Sequence, residues 1–337
     1  MGFAGIGVKW TAFGLLCAMA ATQPAQAGHG AITTFDAAAN AQGTSPIGIN
    51  DIGEIAGFYS DNNFVTHGFV RDASGAITDF DVPNSIQTAA LGIDGQGGAF
   101  GTYTDNVNFL THGFVRAPDG TFTTFDVPGA HSTSPGSCNS LGAIAGDYVD
   151  SGGTTGLFMR ALDGTITTFT VPVSTSVHAD GINDKGVVLG DMSDLSGSGH
   201  AFLRSAPGSL TIYDVPGAAG TFGSSVNNKG VVAGAYIDGN NGVHGYVRGK
   251  NGTITTFDAP AGVSTFVNGI NRKAQVTGSS YDSNGFAHGY VRAKGGTFST
   301  FDVPGSLGTF PTSISSAGVT GFWSDANGNS HGFFRSR

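Results

Sequence analysis

The sequence predicts an all-β fold of tandem four-stranded units, on three observations. Composition is rich in turn formers, a unit of about 44 residues recurs seven times, and the two ends of the chain fall partway through that unit. The 337 residues include 56 glycines, and charged residues make up only 12%. Glu54 is the single glutamate, so the surface chemistry that helices use is missing, while Gly, Asn and Asp favour turns. This excludes a helical bundle and argues against an α/β enzyme. The 39% hydrophobic content, with 25 Phe, argues against disorder because it can fill a core.

The first segment reads as an export signal. Lys9 supplies a short positive region, residues 10–19 form an apolar run, and Ala25-Gln26-Ala27 is a small-x-small cleavage site. The run is too short to span a bilayer, and Leu16 before Cys17 does not suit lipid attachment. Cleavage after Ala27 makes the protein secreted or periplasmic and leaves Cys138 as its one cysteine, so no internal disulfide is expected. The net charge of −9 speaks against nucleic acid and anionic membranes as partners.

Two markers define the repeat. Phe-Asp occurs at Phe35-Asp36, Phe80-Asp81, Phe125-Asp126, Phe257-Asp258 and Phe301-Asp302, with Tyr213-Asp214 and Phe169-Thr170 in register. Their spacings are 45, 45 and then 44 four times. His-Gly-Phe-Val-Arg and its variants begin at His67, His112, His200, His244, His288 and His331, with Gly156 in the remaining slot. In the first unit a strand around residues 47–49 is closed by the turn Asn50-Asp51-Ile52-Gly53. A second strand covers 54–59, a third 67–71 and, after a tight loop ending in Gly75, a fourth 77–81. Four strands per 40–45 residues is the spacing of a propeller blade. The expectation is one seven-bladed β-propeller over residues 28–337. Its blades lie near 44–81, 88–126, 133–170, 177–214, 221–258, 265–302, and 309–335 completed by 30–36. The seventh takes its fourth strand (32–36) from the N-terminal end and its third (331–335) from the C-terminal end, leaving no open sheet edge.

These repeats resemble the HAF-repeat family of exported bacterial proteins, whose tripeptide stands verbatim at His200-Ala201-Phe202. The resemblance covers about residues 30–335, although most copies here read His-Gly-Phe or His-Gly-Tyr. It implies export and tandem β-repeats, and no activity.

The hairpin between third and fourth strands can be registered from its turn. If Asp72 faces Ala76, counting outward sets His67 opposite Asp81. The same count pairs His112 with Asp126, His200 with Asp214, His244 with Asp258, His288 with Asp302 and His331 with Asp36. Where Gly156 replaces His, Thr170 replaces Asp, so both members vanish together. Six recurrences mark these pairs as structural staples, because an active site is single and convergent. An Asp in each loop between second and third strands (Asp61, Asp105, Asp150, Asp194, Asp238, Asp282, Asp325) suits tight turns. Calcium is the alternative, in runs such as Asp282-Ser283-Asn284-Gly285, though no downstream acid completes an EF-hand loop. No metal site or other cofactor is expected.

Function is sought where the repeats differ. Blades three and four carry His131, Cys138, His178 and Asp180, the last in place of an apolar residue. Asp147 and Asp191 fill slots held elsewhere by Phe58, Thr102, Ala235, Ser279 or Phe322. Strand alternation points His178 and Asp180 to one face, toward the axial channel. Cys138 reads as a small core residue. Two functions remain open. One is a monomeric, non-catalytic secreted propeller binding a glycan, envelope component or protein. The other is a hydrolase or lyase acting on a polysaccharide or ester at the channel mouth.

Overall fold

The computed structural model describes residues 30–337 except 207 and 261, so the export signal lies outside the described residues. Among them the regular structure is 28 strands, arranged as consecutive antiparallel sets of four. In repeat one these are Gly43–Ile49, Ile55–Ser60, Thr66–Arg71 and Ile77–Phe80. The first strand is longer than the sequence suggests, and in repeats two to four it extends further, as Ser85–Ile93, Ala130–Cys138 and Ser174–Ile182. Each of those three carries a bulge near its start, at Ile86, His131 and Thr175. The third–fourth hairpin pairs Arg71 with Ile77 and Gly68 with Phe80.

Packing follows from the repeated marker. The aromatic of each His-Gly-Phe sits at the centre of the third strand, and Phe69, Phe114, Phe158, Phe202, Tyr246, Tyr290 and Phe333 are all fully buried. Opposite lies a second-strand glycine: a Cβ on Gly57 would collide with the Ser45 carbonyl and the Phe69 ring. The aromatic of each Phe-Asp marker reaches into the next repeat. Phe35 meets Phe69 edge-on at 6.1 Å, and Phe80 meets Phe114 at 6.0 Å. The third-strand arginine covers the same ring, as Arg116 does over Phe80 at 4.9 Å and Arg335 over Phe301 at 4.5 Å. Each such aromatic pair adds about 1 kcal/mol to its area burial. The arginines are thereby used as covers for apolar rings.

Polar ties also run from repeat to repeat. Asn139, Asn183 and Asn227 are buried, and each Nδ2 donates to the carbonyl of the residue 44 positions on, at 3.0–3.1 Å. Asn50 donates likewise to the Asp94 carbonyl. Buried threonines fix the links: Thr133 Oγ1 accepts the Val127 N–H at 3.0 Å. The last repeat meets the first. Thr312 Oγ1 donates to the Pro46 carbonyl at 2.8 Å, and the Ser316 N–H donates to Asp51 at 2.8 Å. The N-terminal strand Ile32–Phe35 pairs antiparallel with Ser330–Ser336, Ile32 opposite Arg335 and Phe35 opposite Gly332.

Antiparallel order sorts the connections onto two faces. Tight turns joining first to second and third to fourth strands share one face. The second–third loops and the links between repeats share the other. Ile52, Leu141 and Leu162 are exposed on the turn face. The loop-and-link face exposes more apolar side chains: Phe64, Val107, Phe109, Val173, Leu195 and Val263.

Candidate functional site

The six histidines all face their registered aspartates. Nδ1 lies 2.9 Å from Asp81 in His67, 2.9 Å from Asp126 in His112, and 2.9 Å from Asp214 in His200. The distances are 2.7 Å for His244–Asp258, 3.0 Å for His288–Asp302 and 2.8 Å for His331–Asp36. The loop aspartate approaches the other ring nitrogen, a second partner that sequence spacing does not disclose. His112 Nε2 stands 2.9 Å from Asp105, and the remaining five lie 3.4–3.8 Å from Asp61, Asp194, Asp238, Asp282 and Asp325. Each imidazole thus sits between two carboxylates. For His112 these bonds outweigh burial and raise its pKa, while loop N–H groups and His112 hold Asp105 far below the usual carboxylate range.

The loop aspartates also close their turns. Asp282 Oδ1 accepts the Asn284 and Phe286 N–H groups at 2.9 Å. Their oxygens already serve N–H donors. Among the described residues no group of three or more His, Cys, Asp or Glu side chains is arranged to hold a metal ion. In repeat three the Tyr148 ring occupies the space that a side chain at Gly156 would need.

Four of the singled-out residues converge. His178, in the first strand of repeat four, pairs with Asp191 in the second, and its Nδ1 lies 3.8 Å from Asp147 of repeat three. Asp180 joins them through a bulge between Ala179 and Gly181, which interrupts the alternation that would set it on one face with His178. Its Oδ2 is shielded from solvent and has no hydrogen-bond partner, so this oxygen does not face an open channel. His131 is exposed at its own bulge, three residues before the level of this cluster and about 10 Å along the strand. Cys138 is free and packs with Phe100, Val127, Ile144 and Phe158. Burial pushes its thiol pKa up, away from reactivity.

Electrostatics at the cluster are those of crowded acids. Burial, then the charges of Asp191 and Asp147, push Asp180 well above the usual range. Burial lifts Asp191 to about 6, with His178 opposing. Asp147 raises His178 against the effect of burial. An acid that holds its proton near neutrality, beside a carboxylate-paired imidazole, is a proton-transfer pair without a nucleophile. Stability follows from the sign of these shifts. The Asp191 contribution is complete below the unfolded pKa near 3.8 and is lost as pH rises through about 6. Asp191→Asn is therefore expected to stabilise the fold by up to about 2 kcal/mol at pH 7.5 and by nothing at pH 4. Thermal melts at the two pH values check this; a loss of stability at pH 7.5 would show the carboxylate to be stabilising.

A second unrepeated feature lies where repeat one meets repeat two. A cavity of about 610 Å³ is lined by Asn84, Tyr103, Asp105, Asn106, Asn108 and Phe122 among others. Its loop, from Asp105 to Leu110, is one residue longer than its counterpart from Asp61 to Val65. The Asn106 N–H donates to the Asn84 carbonyl at 3.2 Å and ties the loop to the link. Sequence reasoning missed this site. Its signal was the 45-residue spacing from Asp81 to Asp126.

No family model matches the sequence, and no curated protein does. Solved structures match by shape. A catalytically inactive virginiamycin B lyase from Staphylococcus aureus, with quinupristin, has a TM-score of 0.60 at 14% identity, covering 90% of this chain and 99% of that one. The β-propeller domain of the Trilobed protease from Pyrococcus furiosus, described as having an open velcro topology, reaches 0.66 at 9% identity, over 87% and 95%. A prolyl endopeptidase gives 0.61 at 11% identity, over 88% of this chain and 51% of that one. At such identities the likeness establishes the β-propeller fold, and chemistry has to be argued from the residues.

Proposed function

We propose that the protein is an exported, non-catalytic propeller of seven blades that binds a glycan, an envelope component or a protein through its loop-and-link face. The observation that carries this reading is the cavity of repeat two beside its link from repeat one, where asparagine amides meet aromatic rings and His112 is already engaged by Asp105 and Asp126. Seven blades in a closed ring are supported by the strand Ile32–Phe35 on Ser330–Ser336 and by the bonds from Thr312 and Ser316 to repeat one. Arg71, lying over Phe35 at 5.1 Å, repeats across that junction the contact made between other neighbours. Export, and kinship with the HAF-repeat proteins, rest on the sequence features alone.

A second reading, a hydrolase or lyase, is favoured by the raised acids Asp180 and Asp191 beside His178. Incubating the purified protein with neutral and acidic polysaccharides, isolated envelope polymers and chromogenic esters separates the two. The expected result is saturable binding with the ligand recovered intact. Cleavage that is lost in His178→Ala would overturn the binding reading and establish the second.

A further inference from the structure

We infer that the cavity of repeat two, beside its link from repeat one, is a subsite for a neutral carbohydrate, held by Asn84, Asn106 and Asn108 against the rings of Tyr103 and Phe122, with Phe109 next to Asn108 in the same loop. This deepens, and rests on, the reading of the protein as a binder.

The amides supply the first argument. In the loops of repeats one, six and seven an asparagine is spent on its own turn: Asn63 donates to Asp61 at 3.2 Å, Asn284 to Asp282 at 3.4 Å, and Asn327 to Asp325 at 3.3 Å, whereas Asn240 and Asn241 of repeat five bond that turn through their backbone alone. In repeat two that role is filled otherwise. Asp105 Oδ1 accepts the Val107 and Asn108 N–H groups at 2.6 Å, while Oδ2 takes Leu110 N–H and faces His112. Asp105 is therefore saturated as the organiser of the loop. The side-chain amides of Asn84, Asn106 and Asn108 have no partner within the chain among the described residues, and all three line the cavity. Each offers two donors and an acceptor, the mixture that sugar hydroxyls demand.

The aromatic residues supply the second. Phe109 has φ +59° and is 68% exposed. At the corresponding turn position stand Gly153, Gly197, Gly285 and Gly328, and in repeat five Asn241. A bulky residue in this conformation costs about 1 kcal/mol or more, and an exposed ring recovers little of that in the free protein. The cost keeps an aromatic ring beside Asn108. Phe64, at φ +61°, does the same in repeat one.

Preorganisation supplies the third. Tyr103 stacks on His112 with centroids 5.0 Å apart, and His112 is clamped between Asp105 and Asp126 at 2.9 Å. The wall is fixed before any ligand arrives, which lowers the ordering cost of binding. Its chemistry also selects. The lining contains no lysine or arginine, so phosphate and acidic polymers find no countercharge. The depression, about 610 Å³, is open to solvent on one side, so a bound sugar would lie along the surface and not be enclosed.

The test is calorimetric titration of the full chain with cellotetraose, xylotetraose, laminaritetraose, maltotetraose and chitotetraose. Oligogalacturonate and a proline-rich peptide serve as the acidic and protein probes. We expect one or more neutral tetrasaccharides to bind, and Asn106→Ala with Asn108→Ala to weaken that binding about tenfold or more. Phe109→Gly should weaken it about threefold while leaving the melting temperature unchanged or higher, since glycine relieves the positive φ. Unaltered affinity in all the variants would overturn the site and leave the binding reading intact. Binding of oligogalacturonate or the peptide alone would overturn the ligand class, again sparing that reading. Failure of every probe to bind would overturn the neutral-carbohydrate assignment; if the chain also turned over substrate, the binding reading would fall with it.

Discussion

Deleting residues 30–36 is expected to destabilise the fold by on the order of 5 kcal/mol and to make it aggregate. Phe35 meets Phe69 at 6.1 Å and lies under Arg71, so its loss removes the aromatic contact between the first repeat and the last. Truncating a well-packed phenylalanine costs about 3–5 kcal/mol. Asp36, the partner of His331 at 2.8 Å, goes with it. The Ser330–Ser336 strand would then present unpaired backbone groups to solvent, the condition under which sheets associate edge to edge. For a chain of this size the melting temperature should fall by about 10–20 °C. Calorimetry with light scattering checks both effects. A shift of only a degree or two would mean that Ile32–Phe35 adds nothing to the last repeat.

Asn183→Ala should cost on the order of 3 kcal/mol, although the residue touches no ligand surface. Its Oδ1 accepts the Lys185 and Val187 N–H groups at 3.0 and 3.1 Å, and its Nδ2 donates to the Asn227 carbonyl at 3.0 Å. Alanine removes all three bonds, at about 1 kcal/mol net each, although the Asn227 carbonyl keeps the Gly230 N–H and the Lys185 and Val187 N–H groups are only part-buried. Asn183→Asp separates the two roles, because it keeps the turn and loses the donor to the next repeat. Nature supplies the comparison in repeat two. Asp94 accepts the Gln96 and Gly98 N–H groups, and the bond to the next repeat is made by the Gly95 backbone to the Ser140 carbonyl. Asp at 183 should therefore fall between asparagine and alanine in denaturant melts. Equal stability of all three would show that the ladder of asparagines contributes nothing.

What the sequence disclosed was local. The third–fourth hairpin is set by a short turn, so His67 and Asp81, 14 positions apart, could be placed opposite one another by counting. The approach of Asp61 to the other ring nitrogen depends on how a loop folds back, which counting does not give. Asn183 reads as a turn residue because half of its work is a turn; its amide bonds a residue 44 positions away, across a packing geometry that no local rule contains. Asp180 misled for a different reason. Alternation holds only in an unbroken strand, and the glycine after it, like Gly48, Gly92 and Gly269 in the same slot, marks a recurrent bulge. The cavity of repeat two was visible only as one extra residue in a period whose regularity drew attention away from it.

The strand Ile32–Phe35 reads Ile-Thr-Thr-Phe, and so do Ile166–Phe169 and Ile254–Phe257. Its sequence therefore carries no address. It belongs beside Ser330–Ser336 because every other third strand acquires a neighbour made within the same repeat, and that one does not. The partner also lies nearly the whole chain away, so the pairing has a large loop-closure cost and is expected to form late in folding. Until then two nascent molecules offer each other identical ends. A strand from one can complete the other with the same contacts, which makes concentration during refolding the variable that decides between a ring closed on itself and a swapped pair.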